Sequence, residues 1–455
     1  MNANAKQKMA NKAYAHQEAS IEFFKEQPFG MDLSDPGTGK TFVQIKVFEA
    51  FKKSNPGAKL LVLAPKSLLE AAWANDIKKF APTLKVSIAT AKNRAEAFNS
   101  PADVYITNHD AVKWLEKHPR VLDGITILVV DESTAFKHPT SQRSKALAKL
   151  APQFTEGRRL LTGTPIANGV LDIWHQMKIV DLGQRLGKQY FAFRSSVCAP
   201  VPRGGFTLWE EKEGAGDAVA GLLTDCTIRH SADECLDLPE NHEYEISFKP
   251  SAKVALAYKQ MKDIQLSLVD GGVINAVNAA SAYSKLLQIL SGAVYDENKE
   301  TISIDNQRAE LIADLIEARS AKHSVVFFQW THQRDTILEE LRNRKISVDF
   351  IDGSVNNRSE IVDRFQNGEL QALLIHPQAG GHGLTLTKGT TTIWASPTTN
   401  LEWYIQGNRR IYRNGQTQKC ETIIVVAEGT MEVDLMTKLQ EKDDKQALLL
   451  EFLQE

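Results

Sequence analysis

The sequence predicts an α/β chain of two parallel-sheet lobes in tandem, with a helical insertion between them. Three observations carry this. Short apolar runs alternate with amphipathic stretches through the first third, the same alternation returns between Ser324 and Val426, and the interval from about Asp181 to Glu300 is poor in strand-like runs. The corresponding domains are residues 1–180, 181–300 and 301–455. At 455 residues the chain is too long for one ordinary core, which agrees with two domains and an inserted segment.

Taken in order, Phe29–Leu33, Leu60–Ala64, Val86–Ala89, Val104–Thr107, Ile127–Val130 and Arg159–Thr162 read as the strands of the first lobe. Helical stretches such as Phe42–Lys53 and Ser67–Phe80 lie between them. Apolar strands separated by helices call for a parallel sheet covered on both faces, the architecture of a nucleotide-binding lobe. In the second lobe the strands are Ser324–Phe328, Val348–Ile351, Ala372–Ile375, Thr391–Ala395 and Thr422–Val426, with helices at Gln333–Arg344, Asn357–Gln366 and Leu401–Tyr412. Between the lobes, Gly204-Gly205 and Gly214-Ala-Gly216 mark turns, and Ala252–Leu268 and Val273–Leu290 read as helices. The C-terminal Lys438–Glu455 reads as a helix that packs on a lobe or docks a partner.

Hydrophobic content of 42% and charged content of 24% are ordinary globular values. Lys+Arg 54 against Asp+Glu 56 leaves a formal charge of −2, so any nucleic-acid contact must come from a local basic surface. Cys198, Cys226, Cys235 and Cys420 have neither C-x-x-C nor zinc spacing and read as reduced thiols. No apolar run approaches membrane-spanning length, and the polar N-terminus lacks the apolar core of a signal peptide. The expectation is a cytoplasmic protein, in a bacterial or phage-infected cell or wherever its DNA lies.

Asp35-Pro36-Gly37-Thr38-Gly39-Lys40-Thr41 follows a predicted strand and opens a predicted helix, the context a phosphate loop requires. Gly37 and Gly39 let the backbone curl around phosphate oxygens, Lys40 suits the β- and γ-phosphates, and Thr41 suits Mg²⁺. The strict pattern has glycine where this chain has Ser34. Ile127–Glu132 ends an apolar strand in two carboxylates: Asp131 suits a magnesium contact and Glu132 the polarising of an attacking water. Gln17, just before the phosphate-loop strand, has an amide able to read both the donor and the acceptor edge of adenine. Leu161–Pro165 closes another strand with small hydroxyl residues suited to coupling the γ-phosphate site to the facing lobe. Downstream, Gln378–Thr385 is a glycine-rich loop suited to a phosphate, with His382 more plausibly an ordinary loop residue than a switch. Arg410 and Arg413, three apart on one expected helical face with Gln406 nearby, supply the cations that a γ-phosphate in transit lacks.

In this order the segments resemble the motifs of superfamily 2 helicases of the Swi/Snf type, over about Ala13 to Lys442. The first phosphate loop matches the family's looser form. Leu61–Phe80 with Trp73, Leu161–Trp174, Leu236-Asp-Leu-Pro239, Gly380–Leu386, Gln406–Gln416 and the brace Glu428-Gly-Thr-Met-Glu432 each resemble a stretch of that branch. There are two departures: Ser133-Thr134 where many relatives have a small residue and histidine, and Gly407 where alanine is common, a minor change on the sequence alone. The resemblance implies two RecA-like lobes, ATP and Mg²⁺ as cofactors, and the compact motor found in bacteria and their viruses. It implies translocation along duplex DNA without sequence preference, with backbone contacts from Lys66, Ser67, Thr107, Lys137, Arg143, Gly353, Ser354, Arg358 and Thr385. Protein partners on DNA are compatible with this, and a monomer suffices because one chain holds both halves of the site. Two alternatives stand beside it: a helicase that parts strands of DNA or RNA, for which no wedge is evident, and a non-catalytic binding module. Trp330, Trp394 and Trp403 read as packing residues rather than base-stacking platforms.

Overall fold

Leu60–Ala64 and Ile127–Asp131 are apolar at nearly every position, and such strands persist only where both faces are covered. The computed structural model describes residues 12–203, 206–270, 276–380 and 384–453. In it, both strands are buried throughout. The strands are β1 Phe29–Asp32, β2 Leu60–Ala64, β3 Val86–Ala89, β4 Val104–Asn108, β5 Ile127–Asp131, β6 Gly157–Leu161, β7 Cys198–Arg203, β8 Phe206–Glu211 and β9 Thr227–Ile228. They continue as β10 Asn241–Phe248, β11 Ala293–Tyr295, β12 Thr301–Ser303, β13 Ser324–Phe327, β14 Val348–Ile351, β15 Ala372–Ile375, β16 Thr391–Trp394 and β17 Cys420–Ala427.

The first sheet has the order β3-β4-β2-β5-β6-β1-β9 and is parallel throughout. Parallel pairing puts every carboxyl end on one edge. Asp32 is level with Leu161, and Leu161 with Asp131, so the loops after β1, β5 and β6 emerge side by side. The second sheet, β10-β17-β16-β13-β15-β14, is also parallel. Two parallel-sheet lobes are therefore present.

The chain divides into two compact units after Asp237, and residues from Lys442 onward group with the first. By this division 181–237 belong with the first sheet and 238–300 with the second. Leu449 and Leu450 of the last helix (Met431–Phe452), and Leu453 just past it, lie in the first unit's core.

The interval read as helical proves mixed. Helices Ala252–Asp270 and Ala276–Leu290 are there, but β7 and β8 form an antiparallel hairpin, β9 joins the first sheet and β10 edges the second. Edge position explains why β10 is hard to see in the sequence. Its outer positions are solvated and carry Glu243 and Glu245, so apolar alternation is weak.

The second unit is closed by a buried ion pair. Arg308 donates to both carboxylate oxygens of Glu432 (2.8 and 2.7 Å), and to the carbonyls of Leu290, Ala395 and Val425. Glu432 is fully buried and also accepts from Ala427 N (2.8 Å). The pair anchors the end of the segment 428–432 that resembles the family's brace. Trp394 stacks on Phe327 at 4.6 Å within the core, as a packing residue should.

Candidate nucleotide site and the arginine turn

In the first unit, the chain leaves β1 through Leu33 and Ser34 and re-enters order at the helix Lys40–Ser54. Gly37 and Gly39 have φ of 92° and 91°, a region L side chains avoid and one that turns successive N–H groups to one side. Gly39 is constrained twice, because a Cβ there would lie 2.2 Å from Gln17 Nε2. Lys40 Nζ donates to Ser34 O (2.5 Å) and Asp35 O (3.1 Å), so the ammonium is folded over its own loop. Thr41 lies in the helix's first turn, where the helix dipole favours an anion.

Gln17 is buried with both ends of its amide used inside the protein: Nε2 donates to Thr38 O (3.0 Å) and Oε1 accepts from Tyr14 N (3.1 Å). His16 Nε2 also reaches Thr38 O (2.9 Å). Here Gln17 holds the phosphate loop. From behind, Asp35 N donates to His230 O (3.0 Å), His230 N to Ser34 Oγ (3.0 Å), and Ala232 N to Asp35 Oδ2 (3.1 Å). This strap sits nearly two hundred residues downstream, and no local pattern announces it.

Asp131 ends β5 with its carboxylate held on both sides. Trp73 Nε1 donates to Oδ2 (2.9 Å) and Glu132 N to Oδ1 (3.1 Å), while His109 Nε2 lies 2.7 Å from the Asp131 carbonyl. Trp73 is fully buried in the π-helical turn Leu69–Ala74, a distortion that recurs at functional sites. Glu132 has φ 50° and ψ 60°, left-handed for a non-glycine residue, a strain that surrounding contacts must sustain. Beside it, Gly163 presses on the loop: a Cβ would lie 2.8 Å from Pro36 Cδ. The Thr164 hydroxyl is buried without a hydrogen-bond partner among the described residues. A flexed glycine loop, a lysine bonded among the described residues only to carbonyls, a hydrogen-bonded carboxylate and a hydroxyl without a partner among those residues, all on one sheet edge, fit a nucleotide phosphate with a divalent cation. Thr41 and Asp131 are the residues suited to hold that cation.

The second unit corrects one expectation. The helix from Leu401 ends at Asn408, so Arg410 and Arg413 lie in the turns beyond it rather than on a helical face. Gly407 is wedged against Trp394 and Phe327, and Trp394 Nε1 donates to Asn408 Oδ1 (2.8 Å), which fixes the helix end there. The exchange of alanine for glycine at 407 is thus not minor in this chain. Even so the two guanidiniums converge, both donating to Leu384 O (3.3 and 3.2 Å). Desolvation lowers the pKa of Arg413. Gln416 ties the turn down by donating to Thr387 O (3.1 Å) and Gly389 O (2.9 Å). Gln406 is buried, with Nε2 3.4 Å from Glu402 Oε1. Of the glycine-rich loop, 381–383 with His382 lie outside the described residues.

The expected DNA contacts divide. Lys66, Ser67, Gly353, Ser354 and Thr385 are exposed, and Arg143 is partly so. Thr107 is not placed for a contact: it is fully buried and donates to Ala89 O (2.7 Å), because strand alternation turns it inward. Lys137 is largely buried and paired with Asp172 (3.2 Å). Arg358 is spent on its own loop, donating to Asp352 O (2.7 Å) and Val355 O (3.2 Å). Among the described residues no helix is long and apolar enough to cross a membrane, and the four cysteines are free.

Comparison with known proteins agrees with this architecture. Residues 16–300 match the SNF2-related domain and residues 307–415 the helicase conserved C-terminal domain. The putative protein p41 of Acyrthosiphon pisum secondary endosymbiont phage 1 is 29% identical, over 92% of this chain and 93% of its own length. The putative ATP-dependent helicase/translocase YwqA of Bacillus subtilis is 26% identical over 92% of this chain, which spans only 46% of it. A RAD54-like DNA repair and recombination protein of Danio rerio is 24% identical over 93% of this chain and 63% of its own length. Among solved structures, a Sulfolobus solfataricus SWI2/SNF2 ATPase core in complex with dsDNA aligns over 96% of this chain and 94% of its own, with 21% identity and a TM-score of 0.46. The SNF2-related model covers more than half of the chain, which therefore belongs to the SNF2-related family and is an ATPase of the helicase type.

Proposed function

We propose that this chain is an ATP-driven translocase that moves along duplex DNA and remodels DNA or protein–DNA complexes. The observation that carries the reading is the presence, on one chain, of a phosphate-loop and carboxylate edge in the first unit and two convergent arginines in the second. In this reading Lys40 would neutralise the β- and γ-phosphates, Thr41 and Asp131 would hold Mg²⁺, and Glu132 would orient the attacking water. Arg410 and Arg413 would stabilise the charge that grows on the γ-phosphoryl. One chain supplies both halves, so a monomer suffices. Lys66, Ser67, Arg143, Gly353, Ser354 and Thr385 are the surface groups left to grip phosphates, which predicts salt-sensitive, sequence-tolerant binding.

DNA rather than RNA as the track is supported by the RAD54-like relative, a DNA repair and recombination protein. A second reading, strand separation, is favoured by the β7–β8 hairpin, an antiparallel element outside both parallel sheets. Displacement of a third strand from a triplex, set against unwinding of a forked duplex, tests the two. ATP-dependent triplex displacement without fork unwinding supports translocation. Unwinding of the fork with no action on a blunt triplex contradicts it.

A further inference from the structure

Residues 133 and 134 are where this chain departs from the small-residue–histidine pair of many relatives, and the structure shows what stands there instead. Ser133 is fully buried, and its hydroxyl donates to Gln176 Oε1 (2.6 Å). Gln176, on the helix Leu171–Asp181, is itself fully buried. Its amide donates to Pro165 O (2.9 Å) and to Asp172 O (2.9 Å). One turn earlier on the same helix, the Asp172 carboxylate accepts from Asn168 N (3.0 Å) and Nδ2 (3.2 Å) and pairs with Lys137 (3.2 Å). A single helix thereby ties the segment after β5, residues 131–137, to the segment after β6, residues 162–168.

Burying a glutamine amide and a serine hydroxyl is costly unless both are matched, and here they are matched to each other and to a backbone carbonyl. The match falls next to Glu132, whose left-handed backbone needs its neighbours fixed. On the far side it ends at Pro165, adjacent to Thr164 with its unpartnered hydroxyl and two residues past Gly163, which abuts the phosphate loop.

We propose that Gln176 is a positioning residue for ATP hydrolysis: through Ser133 and the Pro165 carbonyl it holds the Asp131–Glu132 carboxylates in register with the 162–168 segment. A change on either segment at nucleotide binding is then imposed on the other. This rests on the ATPase reading of the same edge. The competing account is a polar pair that merely satisfies itself in the core.

The test is a cycle of S133A, Q176L and S133A/Q176L in the full chain, read by thermal unfolding, ATP hydrolysis, and hydrogen exchange at 162–168 with and without Mg·ADP–beryllium fluoride. Each single variant strands a buried partner and lowers Tm, whereas the double variant removes both and regains most of the loss. Positioning predicts that kcat stays down by about tenfold to a hundredfold in all three, with KM for ATP within about twofold. It also predicts that nucleotide-induced protection of 162–168 is seen in the wild type and lost in the variants. Recovery of kcat together with Tm in the double variant would overturn it, as would normal kcat and protection in Q176L. Wild-type protein that binds nucleotide without hydrolysing it sinks the ATPase reading, but protection that depends on Gln176 still upholds the link. No protection in the wild type overturns the link itself.

Discussion

Glu132 in the first unit and Glu432 in the second each stand just beyond the carboxyl end of a parallel strand, yet their surroundings differ in kind. Glu432 is sealed: fully buried, bidentate with Arg308 and capped by Ala427 N. Glu132 is partly exposed, on a strained backbone, between a carboxylate clamped by Trp73 and a serine anchored to Gln176. The same residue type thus closes a fold in one place and, in the other, stands on a strained turn at the sheet edge that carries the phosphate loop. What separates them is the setting: one carboxylate is paired with a buried cation, and the other sits on a strained, partly exposed turn.

Substitution should separate them. The largest effect on stability is expected for Glu432→Ala, about 3–5 kcal/mol, because Arg308 is left charged and buried. Denaturant unfolding measures it, and pairing the change with Arg308→Met should recover much of the loss. Glu132→Gln should leave unfolding nearly unchanged while lowering ATP turnover on the order of a hundredfold or more, read by phosphate release. Gly407→Ala forces a methyl to within 2.8 Å of Trp394, and overpacking of that kind costs about 1–3 kcal/mol. It should also loosen the arginine turn, so the salt dependence and the rate of hydrolysis shift together. Trp73→Phe keeps the buried ring and removes only the N–H to Asp131. The magnesium needed for half-maximal hydrolysis should rise about tenfold. An unchanged requirement would show that the Trp73 N–H is not needed to orient the carboxylate.

The smallest effect is a pH slope. Burial pushes both His175, in the first unit, and His332, in the second, down to about 4. Their folded pKa lies below the unfolded value near 6.5, so between those values the unfolded chain binds the protons. Their contribution is then full above about pH 6.5, is lost as pH falls toward 4, and levels off below. Neither ring nitrogen of His332 has a hydrogen-bond partner among the described residues. His332→Phe should flatten the slope of Tm against pH in that window.

The phosphate loop and the Asp131–Glu132 pair were legible because their chemistry is contiguous: strand, glycines, lysine and helix follow one another, and so do strand and carboxylates. Strands β2, β5 and β15 were legible for the same reason, being apolar at nearly every successive position. What escaped notice depends on contacts distant in sequence. The 230–232 strap on Asp35 and the Trp73 bond to Asp131 join segments that no local window contains. Charged outer positions hid β10, and close packing of Gly407 ended a helix whose pattern runs on past Asn408. Thr107 was misread because a strand's face, not its residue type, decides whether a hydroxyl meets water.

The most direct test of the central claim is steady-state ATP hydrolysis without nucleic acid and then with duplex DNA, single-stranded DNA or RNA, with Lys40→Ala as the blank. Strong stimulation by duplex DNA that disappears in the Lys40 variant is the predicted result. Stimulation by single strands or RNA alone, or no hydrolysis by folded protein under any of these conditions, would contradict it.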